Sequence, residues 1–91
     1  MTRALHVRVT GVVQGVGYRA WTEQAARARG LNGWVRNRRD GSVEAVIAGD
    51  DAAVDEMLAA FRAGPPGSEV DEVITEAADS PETAFRVLPT A

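Results

Sequence analysis

Apolar and polar positions alternate along residues 4–10, with Leu5, Val7 and Val9 on one face and His6, Arg8 and Thr10 on the other. A period of two is that of a half-buried strand. Gly11-Val12-Val13-Gln14-Gly15-Val16-Gly17 follows, with three glycines in seven positions. From Tyr18 the period lengthens. Tyr18, Trp21, Ala25 and Ala28 fall at i, i+3, i+7 and i+10, predicting an amphipathic helix that Gly30 stops. Residues 31–37 read as a second strand, with Gly33 as a bulge. Asp40-Gly41 is a hairpin signal, so residues 42–48 form a third strand antiparallel to the second. Gly49-Asp50-Asp51 predicts a loop carrying an N-cap. Val54, Met57, Leu58 and Phe61 then give the inner stripe of a second helix, ended by Gly64-Pro65-Pro66-Gly67. Residues 70–77 are strand-like, Asp79-Ser80-Pro81 is a turn, and Phe85 and Val87 mark a short last strand.

The order is β-α-β-β-α-β plus a short terminal strand. This is the split βαβ, ferredoxin-like arrangement of the α+β class. Right-handed crossovers would set both helices on one face of an antiparallel sheet. At 91 residues the chain is expected to form one domain over 1–91. Such a fold predicts no function by itself.

Composition narrows the chemistry. There is no cysteine, which excludes disulfides, thiolate metal sites and thiol nucleophiles. No apolar run approaches the ~20 residues of a membrane span, and Met1-Thr2-Arg3-Ala4 lacks the apolar stretch of a signal peptide. A cytoplasmic monomer without membrane attachment is expected. The net charge of −3 argues against general affinity for nucleic acid. All ten basic residues are arginine, the side chain best suited to bidentate oxyanion binding.

The most informative stretch is Gly11 to Arg19, which leaves a strand, turns through glycines and enters a helix. Glycines reach positive φ without steric cost, so successive N–H groups can converge into an anion-holding nest. The helix start adds unpaired N–H groups and the positive dipole end. Arg19 in the first turn would add a fork of donors. Three readings meet here: a plain glycine turn with Arg19 solvated, a dinucleotide fingerprint, and a bare phosphate cradle. Gly15-Val16-Gly17-Tyr18-Arg19-Ala20 does match G-x-G-x-x-A. A dinucleotide site, however, needs a parallel sheet larger than this chain supplies, and the Asp40-Gly41 hairpin makes the next pairing antiparallel. No Walker sequence is present.

Gly11-Val12-Val13-Gln14-Gly15-Val16-Gly17-Tyr18-Arg19 closely resembles the phosphate-binding signature of the acylphosphatase family. Gly30-Leu31-Asn32-Gly33-Trp34-Val35-Arg36-Asn37, followed by Asp40-Gly41-Ser42-Val43-Glu44, resembles the family's second signature. The resemblance runs from about residue 5 to residue 88 and implies the fold reached above. It departs from the commonest pattern at Tyr18, usually phenylalanine, at Val12, often basic, and in the tail Pro89-Thr90-Ala91.

What the resemblance implies is hydrolysis of acyl phosphates to carboxylate and inorganic phosphate, without cofactor or metal. The phosphoryl group would be held by the loop Gln14, Gly15, Val16, Gly17, Tyr18 and Arg19. Arg19 and Asn37 would be the catalytic pair, Asn37 orienting the water. The leaving group is a carboxylate, stable without protonation, so the reaction needs charge stabilisation and an in-line water more than a general acid. Asn37 taken alone reads as a turn-former. His6 reads as a surface strand residue, and Arg36, Arg38 and Arg39 as a solvated turn. Asp50, Asp51, Asp55 and Glu56 suit a helix dipole and show no metal-ligand spacing. Trp21 and Trp34 read as core and edge packing, leaving no stacking platform for nucleic acid. Two other roles remain: a non-catalytic anion-binding module, and a domain of larger carbamoyl-transfer maturation proteins.

Overall fold

The computed structural model of the chain describes residues 1–79 and 82–91. Alternation carries β1 (Thr2–Val12), which buries Val7 and Val9 completely and leaves Arg8 exposed. The chain continues through α1 (Tyr18–Ala28), β2 (Asn32–Asn37), β3 (Val43–Asp50), α2 (Asp51–Ala63), β4 (Glu69–Ala77) and β5 (Phe85–Val87). The strands form one sheet in the order β4-β1-β3-β2-β5. The β1–β3, β1–β4 and β2–β3 pairs are antiparallel, as expected, so the two βαβ units interleave. The last strand departs from the expected antiparallel sheet, because β5 runs parallel to β2. β4 and β5 occupy opposite edges of the sheet and run in opposite directions.

Val35, Val43, Ala45, Ile47 and Phe85 join Val7 and Val9 on the inner side of the sheet, against Tyr18 and Ala26 of α1 and Val54, Met57 and Phe61 of α2. The inner stripe of α1 is rotated from the expected one. Thr22 is buried and Ala28 exposed, while Trp21 and Ala25 only border the core. A buried threonine is tolerated because its hydroxyl donates to Tyr18 O at 2.8 Å, one turn back. Tyr18 solves a similar problem in α2. Pro65 has no N–H to offer Phe61 O, and the Tyr18 hydroxyl donates to that carbonyl at 2.7 Å.

Three local expectations are corrected. Gly33 is no bulge, since β2 pairs with β3 without a register shift. A Cβ there would lie 1.8 Å from Val46 O, so glycine permits close backbone approach; the irregularity lies at Thr10/Gly11 in β1 instead. There is no loop at residues 49–51, because β3 runs to Asp50 and α2 begins at Asp51. Asp50 makes no side-chain cap; Met1 O accepts from Asp51 N at 3.1 Å, and Arg3 pairs with Asp51 and Asp55. The expected Asp79-Ser80-Pro81 turn falls on Ser80 and Pro81, outside the described residues.

Candidate active site

The loop between β1 and α1 is fixed by side chains that alternate inward. Val13 is fully buried, Val16 packs against the core, and Tyr18 is buried. Gly15 and Gly17 between them adopt φ of 74° and 75°, the left-handed region that glycine reaches without a Cβ clash. This alternation frees the main chain. None of the N–H groups of Gly15 to Ala20 donates to another backbone group among the described residues. They crown the start of α1, where the helix dipole is positive.

Arg19 stands over this crown. Arg3, Arg8, Arg27, Arg29, Arg36, Arg38 and Arg86 each lie within salt-bridge distance of a carboxylate; Arg19 has no such partner among the described residues. Among the described residues its side chain makes one hydrogen bond, Nη1 donating to Leu88 O at 3.4 Å, which steers the guanidinium without neutralising it. The tail that supplies Leu88 is an extension of the sheet. Leu88 N donates to Val35 O at 2.8 Å, Ala91 N to Asn37 O at 3.0 Å and Arg39 N to Ala91 O at 2.9 Å. Nothing in the apolar pattern of Pro89-Thr90-Ala91 signals that placement, because it rests on main-chain pairing alone.

Asn37 ends β2 opposite Val43, so strand parity turns its side chain to the helix side, as for Val35. Its Oδ1 is buried and has no hydrogen-bond partner among the described residues. A buried amide oxygen without a partner costs roughly 1–3 kcal/mol. A group held that way is available to a ligand or a water.

These groups meet in one cleft of about 390 Å³, lined by Val13, Gln14, Gly15, Gly17, Tyr18, Arg19, Ala20, Glu23, Asn37 and Val87. Of the expected phosphate-binding positions, Val16 contributes no lining side chain, because that side chain is in the core. The Tyr18 side chain is also committed inward, and burial pushes its hydroxyl pKa up. The Gln14 side chain is committed to the main chain of the hairpin. Its Nε2 donates to Arg38 O at 2.7 Å and Ser42 O at 2.8 Å, tying the loop to the hairpin that follows Asn37. Ala20, Glu23 and Val87 line the cleft without having been singled out in the sequence; the i+4 spacing from Arg19 is a signal for Glu23 alone.

The other side of the sheet carries different chemistry. Arg36 and Arg38 are not a solvated turn: Glu44 accepts from Arg36 Nε at 2.6 Å and Arg38 Nη1 at 3.2 Å, and contacts His6 Nε2 at 2.6 Å. Burial alone would raise the Glu44 pKa, but the hydrogen bonds from His6 and Arg36 hold it below the usual carboxylate range. Trp34 lies on this face, with the Arg36 guanidinium 5.0 Å from its ring centroid. Trp21 borders the core, 5.2 Å from Tyr18.

Fold and cleft together define a ferredoxin-like α+β protein with an oxyanion cradle at the start of its first helix. The acylphosphatase family model matches residues 5–87, and the chain belongs to that family. An acylphosphatase of Bradyrhizobium diazoefficiens is 55% identical over 98 residues, covering 99% of each chain. The acylphosphatase structure from Coxiella burnetii superposes with a TM-score of 0.92 at 33% identity, covering 96% of this chain and 93% of that one. The Bacillus subtilis acylphosphatase structure gives 0.90, also at 33% identity, covering 97% and 99%. As a member of this family the protein is a hydrolase of acyl phosphates.

Proposed function

We propose that the substrate's phosphoryl group rests against the main-chain N–H groups of residues 14–19, with the Arg19 guanidinium forking onto two of its oxygens, and that Asn37 holds the attacking water. The observation that carries this is one cleft holding an arginine and a buried asparagine oxygen that have, among the described residues, no carboxylate partner and no hydrogen-bond partner respectively. The water oxygen bonds to phosphorus as the bond to the carboxylate oxygen breaks, and the bonding pair leaves with the carboxylate. An amide is no base at neutral pH, so Asn37 positions the water and a phosphoryl oxygen takes its proton. The N–H groups and Arg19 act where negative charge accumulates.

On this reading neither cofactor nor metal ion takes part. His6 stays outside the reaction, since it belongs to the opposite face of the sheet. The rate is then flat between about pH 5 and 8, and a histidine-like transition in kcat contradicts it. The protein would act as a single-domain cytoplasmic monomer on small acyl phosphates, without a nucleic-acid partner. In support, no helix of the described residues is long and apolar enough to cross a membrane. Arg8, Arg36 and Arg38 on the open sheet face are each paired with Asp40 or Glu44.

Hydrolysis of acetyl phosphate in the presence of a chelator tests the assignment. Arg19→Ala loses turnover and inhibition by phosphate together, and Arg19→Lys recovers little because a point charge cannot form the planar fork. Asn37→Ala keeps the phosphate inhibition constant while kcat falls about 10²-fold or more. An equal loss of phosphate binding in Asn37→Ala would overturn the division of roles.

A further inference from the structure

The cleft extends beyond the phosphate cradle. α1 leads away from the loop at about 1.5 Å per residue, so Glu23 stands one turn, roughly 6 Å, past Arg19 on the same helix face. Glu23 and Ala20 line the cleft on that side, and Val87 of β5 on the other. Val87 is 40% exposed, an apolar side chain left open where it faces the cleft. Glu23 is held in place from behind. Its carboxylate pairs with Arg27 Nη2 at 3.1 Å, and that nitrogen also donates to Phe85 O at 3.0 Å. Glu23 lines the cleft and Arg27 does not.

We propose that Ala20, Glu23 and Val87 form the subsite for the acyl group, and that Glu23 makes it select neutral, apolar acyl chains over chains ending in a second carboxylate. The inference rests on the phosphoryl group lying at Arg19. A four-carbon dicarboxylic acyl phosphate then carries its free carboxylate about one helical turn beyond phosphorus, to the level of Glu23. Two like unit charges about 6 Å apart, at an effective dielectric between protein surface and bulk water, repel enough to lower kcat/KM about tenfold. Solvent exposure and the ion pair with Arg27 moderate the repulsion without reversing it, because Glu23 and not Arg27 lines the cleft.

The test compares succinyl phosphate with acetyl phosphate as substrates. The wild-type ratio of their kcat/KM values favours acetyl phosphate, and added salt narrows it. In Glu23→Gln the ratio shifts toward succinyl phosphate about tenfold, and in Glu23→Lys further, with far-UV circular dichroism confirming the helix. A ratio that stays within twofold of wild type in both variants overturns the subsite. Arg19→Ala run beside them separates the two layers. If it still turns over acetyl phosphate and binds phosphate, the placement of the phosphoryl group falls, and the subsite with it. If it is inactive while the ratio stays fixed in the Glu23 variants, only the subsite falls.

Discussion

Replacing Gln14 by methionine keeps the length of the side chain and removes both of its donors. In the folded protein those donors reach Arg38 O at 2.7 Å and Ser42 O at 2.8 Å, and Arg38 directly follows Asn37. Neither carbonyl is orphaned by the change. Ser42 O still accepts from Arg38 N at 2.8 Å, and Arg38 O from Gly41 N at 3.1 Å. The loss is therefore the net value of two hydrogen bonds without an added penalty for stranded acceptors, about 1–2 kcal/mol. For a domain of this size that lowers Tm by roughly 4–16 °C. The kinetic consequence is separate. The cradle keeps its own N–H groups, so the phosphate inhibition constant moves less than about threefold. The hairpin bearing Asn37 loosens, and a displacement of the water by about 1 Å costs up to roughly 10²-fold in kcat. If Gln14 acts through Asn37, the same change made in Asn37→Ala carries no further loss of kcat. Full additivity of the two losses, or phosphate binding that weakens in step with kcat, would refute this coupling.

Tyr18→Phe strands Phe61 O, which has no i+4 donor because residue 65 is proline; a loss of about 1–3 kcal/mol in urea unfolding is expected, with the phosphate inhibition constant unchanged. Gly15→Ala meets no atom of the described residues within 4 Å, so its cost is the left-handed φ alone, about 1–2 kcal/mol; an unaltered Tm would mean the loop simply relaxes. Glu44 has a pKa below its unfolded value, so the stability it adds is full above the unfolded pKa and disappears as pH falls through the folded one. Glu44→Gln accordingly loses stability at pH 7, and its deficit shrinks in unfolding curves taken near about pH 3. A deficit that persists undiminished in acid would show that the ion pairs are not its source.

Periodicity made most of the fold readable. The alternation of Leu5, Val7 and Val9 and the stripe of Val54, Met57 and Phe61 are local patterns, and each matches the buried side of its element. What failed is what depends on a distant chain segment. The face of α1 rotated because Thr22 can return its hydroxyl to Tyr18 O, a compensation hydropathy does not register. Gly33 resembled a bulge in sequence, but its cause is the carbonyl of Val46, on another strand. Arg36 and Arg38 looked solvated since Glu44, eight and six residues further on respectively, becomes their partner only after β2 and β3 pair.

The site was legible to a different depth at each residue. The glycines declared the loop, because no other residue enters the left-handed region so freely. Arg19 was marked by its position after them, yet what distinguishes it from the nearby Arg27 and Arg29, engaged with Glu23 and Glu56, is that it has no carboxylate partner among the described residues and lines the cleft. Asn37 depends on parity. It shares the helix side with Val35, while Arg36 between them faces Glu44 on the other side of the sheet. A slip of one residue in the β2–β3 register would exchange the two faces. The position that lines the cleft would then go to a cation, and the asparagine would be left on the open face. The short hairpin closed by Asp40, whose Oδ1 accepts from both the main-chain N–H and the hydroxyl of Ser42, is therefore as much a part of the site as the side chains in the cleft. It sets which of two neighbouring side chains turns toward the cleft.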